Sequence, residues 1–163
     1  MKKFMLSIII LSTLLSSTAC FSPDEPDETV ASLDTAEYRA QWSEDYEYDV
    51  PIEIDSYANF EIFLSGHPQQ DLEIEELTLK FNEEFFMDNL IYAYVKSEPS
   101  GSNVLEADKA VLENGTLILK MDRYVPEIGT TDMAARVCIF ALSRETMTQV
   151  STVIGLITET ERE

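Results

Sequence analysis

The sequence predicts a strand-rich α+β domain: a mainly antiparallel small sheet or sandwich carrying one or two short helices. Three observations lead there. Apolar residues alternate with polar ones at period two through most of the C-terminal two thirds of the chain. Asn114-Gly115 sits between two extended runs, where that dipeptide supplies the positive φ at both central positions that a two-residue hairpin needs. Helix-type spacing is confined to two brief stretches near residues 56–66 and 82–86.

In chain order, residues 50–54 read as a short strand. Ser56 then opens a helix of about two turns, with Phe60, Phe63 and Leu64 on one face and Gly66 to end it. Asn82 is an N-cap followed by Glu83 and Glu84, acids that suit the positive end of a helix dipole, with Phe85 and Phe86 as the buried side. Residues 90–95 are apolar at every second and every intervening position, which suits a strand covered on both faces. Pro99-Ser100-Gly101-Ser102 marks a turn, and residues 104–112 follow as a half-exposed strand. After the Asn114-Gly115 turn, Leu117, Leu119 and Met121 point one way while Thr116, Lys120 and Asp122 point the other. Residues 136–142 are again apolar on both faces and place Cys138 in the core, and residues 150–157 form a last strand before a charged tail.

The chain begins very differently. Lys2 and Lys3 precede an uncharged, mainly apolar stretch from Phe4 to Leu15, and Ser17-Thr18-Ala19 leads into Cys20. This is the composition of a bacterial secretion signal with a lipid-attachment cysteine, so residues 1–19 are read as a signal peptide and Cys20 as the anchored first residue of the mature protein. Twelve helical residues reach only about 18 Å, too short for a permanent span. Ser17 stands where such signals usually carry Leu, Val or Ile. Ser17-x-Ala19 also fits ordinary signal cleavage at the same bond, which would leave the protein secreted and make a Cys20–Cys138 disulfide possible.

Cleavage after Ala19 leaves 9 basic against 31 acidic residues, a net charge of −22 compared with −20 for the whole chain. Such a body repels phosphate backbones, which argues against a nucleic-acid partner. It is also held off an anionic membrane surface rather than lying on it. Residues 20–49 are dense in acids, with Pro23 and Pro26 and the single basic residue Arg39, and are read as a flexible tether spanning about 30 Å. Trp42, Tyr46 and Tyr48 interrupt that composition. They are read as packing on the flank of the folded domain, residues 50–163, with a short binding epitope as the alternative.

Asn82-Glu83-Glu84-Phe85-Phe86, the apolar run at 90–95, Ser100-Gly101-Ser102, Asn114-Gly115 and Thr131-Asp132-Met133-Ala134 come in an order and spacing that resembles a group of small exported proteins of Gram-positive bacteria. Those resemble in turn the C-terminal domain of PrcB, a subunit of a secreted protease complex. The likeness covers about residues 50–144. It implies a compact β-rich domain with an accessory role, helping a secreted protease mature or stay assembled, and a partner that is an exported protein.

The chemistry-bearing residues are few. His67 is the only histidine, so a histidine metal cage is excluded, and its Ser65-Gly66-His67-Pro68 setting has a turn composition. Cys138 lies mid-strand and not at an exposed, electropositive helix start, which argues against a nucleophilic role. Asp71, Glu73, Glu75 and Glu76 form the densest acid group of the domain and could offer oxygen ligands to Ca²⁺, although the spacing of a Ca²⁺ loop is missing. Asp132 is read as closing a local turn with its short carboxylate. There is no glycine-rich phosphate loop, cysteine pair or nucleophile elbow, and no cofactor is implied. Three functional classes follow: a lipid-anchored, non-catalytic binding module for an exported protein; a surface ligand or Ca²⁺ binder; and a hydrolase with a dispersed acidic site.

Overall fold

A computed structural model describes residues 29–71 and 74–161 as two four-stranded sheets packed face to face, with short helices laid on the outer face of one of them. The expected signal peptide, Cys20, Glu73 and the last two residues lie outside the described residues. The strands are β1 (Thr29–Val30), β2 (Ser32–Gln41), β3 (Pro51–Ile54), β4 (Asn89–Glu98), β5 (Val104–Glu113), β6 (Thr116–Val125), β7 (Ala134–Ser143) and β8 (Thr152–Glu161). The first sheet has the order β1-β5-β6-β8 and the second β2-β7-β4-β3. Every pairing is antiparallel except β6 with β8. The fold is β-rich α+β, as the alternation predicts.

The second sheet is buried on both sides, which explains its composition. Leu90, Tyr92 and Tyr94 of β4 and Cys138, Phe140 and Leu142 of β7 face the first sheet, where they meet Leu105, Leu117, Leu119 and Met121. The intervening residues Ile91, Ala93 and Val95, with Ala135, Val137, Ile139 and Ala141, face the helices. Two covered faces leave no position for a polar side chain along the middle of either strand, hence the apolar runs.

The helices are α1 (Tyr57–Gly66), α2 (Ile74–Lys80), α3 (Phe85–Asp88) and α4 (Arg144–Met147). Ser56 caps α1 by accepting from Asn59 N–H at 3.4 Å, and Phe60, Phe63 and Leu64 are its buried face. The Asn82 side chain accepts from Phe85 N–H at 3.0 Å and so starts α3. Phe60 meets Phe81 edge to face at a centroid distance of 5.9 Å, and Phe86 lies 5.8 Å from Phe60, so the aromatic residues of this layer pack into one cluster over β4 and β7. Two helices are additions to the sequence reading. The first turn of α2 carries Glu75 and Glu76 and its last turn Lys80, favourable at the respective ends of the dipole. It buries Leu77 alone, too little to show as a helical period. A single turn, α4, is capped by Ser143, which accepts from Thr146 N–H at 3.0 Å.

The hairpin between β5 and β6 has φ of 49° at Asn114 and 80° at Gly115, the left-handed pair expected there. The chain then leaves the first sheet for β7 and returns through α4 as β8, which is why β6 and β8 run parallel: a return through the other sheet replaces a tight turn. The final strand continues to Glu161, so the tail after Ile157 is largely part of the sheet.

The tether reading needs correction from Thr29 onward. β1 pairs with β5, the chain crosses at Ala31 to the other sheet, and β2 runs the full length of β7 with Tyr38 opposite Val137 and Ala40 opposite Ala135. Ala31, Tyr38 and Ala40 are buried. Ala36, Tyr38 and Ala40 form a period-two apolar row, but two of the three are alanines. Set among acids, so little apolar surface reads as disorder. Trp42, Tyr46 and Tyr48 are half-buried, and both tyrosines pack against the helical-side core, the flank packing expected of them.

Candidate functional site

Three places in the molecule concentrate chemistry. The first is the end of the sandwich where Arg39, Arg136 and Lys96 stand side by side across β2, β7 and β4. Each cation is matched internally. Arg39 Nη2 lies 2.6 Å from Asp132 Oδ2, Lys96 Nζ 3.0 Å from Asp49 Oδ1, and Arg136 Nη1 3.7 Å from Asp71 Oδ2. Arg136 Nη2 also donates to the Gly101 carbonyl at 2.9 Å, and Gly101 N–H donates to the Asp132 carbonyl at 2.8 Å, so the loops before β5 and β7 are tied to this row. A Cβ at residue 101 would run into the Asp132 carboxylate and the Arg39 guanidinium, which accounts for glycine there. Asp132 is therefore an ion-pair and turn residue. Hydrogen bonds from Thr130 and Arg39 hold its carboxyl below the usual range.

Two residues beyond Lys96 on β4 is Glu98, with 0% of its surface exposed. Arg123 donates to both its oxygens, at 2.8 and 2.7 Å, and Asn103 Nδ2 donates at 2.7 Å. Burial pushes the Glu98 carboxyl up, but these bonds and the charges of Arg123 and Lys96 outweigh it and leave the group below its ordinary value. Arg123 reaches on to Glu159 of β8 at 2.7 Å, so the pair also fastens the last strand.

The expected Ca²⁺ ligands are placed as follows. Asp71 accepts from Arg39 N–H at 2.7 Å and faces Arg136, Glu75 and Glu76 belong to the first turn of α2, and Glu73 lies outside the described residues. Among the described residues no group of three or more His, Cys, Asp or Glu side chains is poised to hold a metal ion. A cavity of about 320 Å³ between β2 and β5, bordered by Glu37, Asp71, Glu106 and Arg136, mixes both charges. Cys138 is a free, fully buried thiol with Sγ 3.9 Å from the Leu105 carbonyl, and burial pushes it well above its ordinary value, the opposite of nucleophilic activation.

The second place is an aromatic cleft where the segment after β2 lies against the end of α1. His67 is sandwiched between Tyr46 and Phe63, each ring 4.3 Å from its own, and its Nδ1 donates to the Phe63 carbonyl at 2.9 Å. Burial lowers the basicity of His67, with that carbonyl bond opposing it. Tyr48 Oη donates to the Ser43 carbonyl at 2.8 Å and Trp42 Nε1 to Ser97 Oγ at 3.0 Å, which fixes the other two rings. Two cavities, of about 440 and 370 Å³, lie against Tyr46 and share Asp45, Tyr46 and Gly66 in their walls; Trp42 borders the larger and His67 the smaller. The sequence carries a trace of this site, since Phe63 and His67 are four apart at a helix end. Tyr46 reaches them across 17 and 21 residues of sequence, which no local pattern reveals.

The third place is the outer edge of β8. Among the described residues it pairs with β6 alone, over ten residues. Its inward side chains, Val153 and Ile157, pack against the core between the sheets, and Tyr94 lies over Gly155 so closely that a Cβ would overlap the ring. Its outward residues Ile154 and Leu156 are 43% and 47% exposed.

Comparison of the chain with protein-family models, curated proteins and solved structures finds no match. Among the described residues no helix is long and apolar enough to cross a membrane.

Proposed function

We propose that the protein is a cell-surface lipoprotein, anchored through Cys20 on the extracytoplasmic face of the membrane, that works as a non-catalytic accessory module by binding an exported protein. The resemblance to the PrcB C-terminal domain makes a secreted protease the partner to seek first. The observation that carries the binding half of this reading is the β8 edge. Among the described residues, ten residues of extended backbone are hydrogen-bonded on one side alone, with exposed Ile154 and Leu156 on the adjoining face and neither lysine nor proline within the strand to guard them. Proteins commonly protect such edges, and an extended segment of another chain gains main-chain hydrogen bonds by adding to one. The anchoring half is supported by the composition of residues 1–20.

The test uses the full chain in cells. Cys20→Ser should move the protein from the membrane fraction to the medium. Capture from solubilised membranes should recover an exported protein with the wild type and much less of it with the Ile154→Asp/Leu156→Asp double variant. Unchanged membrane fractionation of Cys20→Ser would refute the anchor, and equal recovery by the double variant would refute the edge.

A further inference from the structure

We propose that the cleft around Tyr46 binds the cationic side chain of a lysine or arginine presented by a basic peptide segment. Four features of the cleft select a cation. Its walls include the half-buried rings of Trp42 and Tyr46, and aromatic rings attract an ammonium or guanidinium group. Asp45 and Glu47 stand at the rim, both exposed. Among the described residues neither has an ion-pair partner, unlike Asp34, Asp49, Asp71, Asp132, Glu98 and Glu159. No lysine or arginine lines either cavity, although the nearby ends of β2, β4 and β7 carry three. Finally, Ser65 and Gly66 bring the C-terminal end of the ten-residue α1 into the wall, and the carbonyl end of a helix carries partial negative charge.

The apolar lining from Ile52 and Phe63 suits the methylene stem of a long basic side chain, while the rim acids meet its charged head. The cavities fall in the size range of small-ligand sites, large enough for one such side chain. The net charge of −20 would draw a basic segment toward the molecule, and the cleft supplies the place where it is held. The proposal goes beyond the reading above, since it depends neither on Cys20 nor on β8.

Trp42 is the only tryptophan in the chain, so its fluorescence reports the cleft directly. The full mature chain is titrated with a capped Gly-Lys-Gly peptide, with the ε-acetylated peptide as the neutral control. The expected result is a saturable change in Trp42 emission with the first and none with the second. Asp45→Asn should weaken binding by about fivefold and Tyr46→Ala by about tenfold, in line with ion-pair and cation–π contributions. Glu113→Gln, which removes an equal charge in the hairpin between β5 and β6, should change affinity by less than about twofold. If Tyr46→Ala fails to fold, Asp45→Asn against Glu113→Gln carries the comparison. No saturable change, equal response to the acetylated peptide, or equal weakening by Glu113→Gln would overturn the proposal. Peptide binding without partner capture would leave the cleft standing and remove the accessory reading.

Discussion

The two sheets have the same number of strands and opposite exposures. The second is covered by the first sheet on one face and by helices on the other, so β4 and β7 are apolar through their middles and act as the structural centre. The first sheet is covered on one face, keeps an alternating pattern, and ends in a strand whose outer edge is unpaired among the described residues. The difference separates what holds the protein together from what is available to other molecules, because a position that must exclude water from both faces has little freedom to contact a partner.

Substitutions can break or sharpen that contrast. The largest effect is expected for Phe140→Ala, at a fully buried position of β7 between the sheets. It should cost about 3–5 kcal/mol, read as a large drop in the urea midpoint. A cost near that of a surface change would mean that β7 is not central. Next comes Arg123→Met. It leaves the Glu98 carboxylate buried without its main partner, and losses from breaking a buried pair run to about 3 kcal/mol. The same pair predicts a pH dependence. Because the folded Glu98 pKa is depressed, its stabilisation is present above the ordinary carboxyl value of about 4.5 and is lost as the pH falls through the folded value. The stability gap between wild type and Glu98→Gln should therefore narrow on acidification below about pH 4.5. A gap independent of pH would show that the charge of Glu98 contributes nothing.

Gly155→Ala should be intermediate. The added methyl meets the Tyr94 ring and forces β8 or Tyr94 to shift, at about 1–3 kcal/mol by thermal or chemical melting. A neutral result would mean that β8 is loosely held. The smallest effect is expected for Ile154→Thr on the outer face of β8, under about 0.5 kcal/mol by the same measurement, because it touches no core. A large loss there would show that the outer face is covered and not free.

Much of this division was legible beforehand. The two-faced apolar runs at 90–95 and 136–142 identified the strands of the buried sheet, and Asn114-Gly115 fixed the hairpin, because in both cases burial or backbone conformation acts on neighbouring residues. What escaped was non-local. β2 is a strand because β7 lies beside it and lends Tyr38 and two alanines a partner, and its own composition argues the other way. The parallel pairing of β8, the Arg39–Arg136–Lys96 row and the Tyr46–His67–Phe63 stack each join segments distant in sequence. Asp132 was singled out by its place in a motif, while its ion-pair partner Arg39 lies 93 residues away. Asp71, grouped in sequence with Glu73, Glu75 and Glu76, turns instead to arginines of β2 and β7.

The claim that the free edge of β8 is where another chain docks is tested most directly by site-specific photocrosslinking in living cells. A photoreactive side chain at Ile154 is compared with one at Ile62, a more exposed position of α1 in the helical layer, 69% against 43% exposed. The account predicts a discrete adduct between the full chain and one exported protein from position 154 and none from position 62. Absence of any adduct from 154, or the same adducts from both positions, would contradict it.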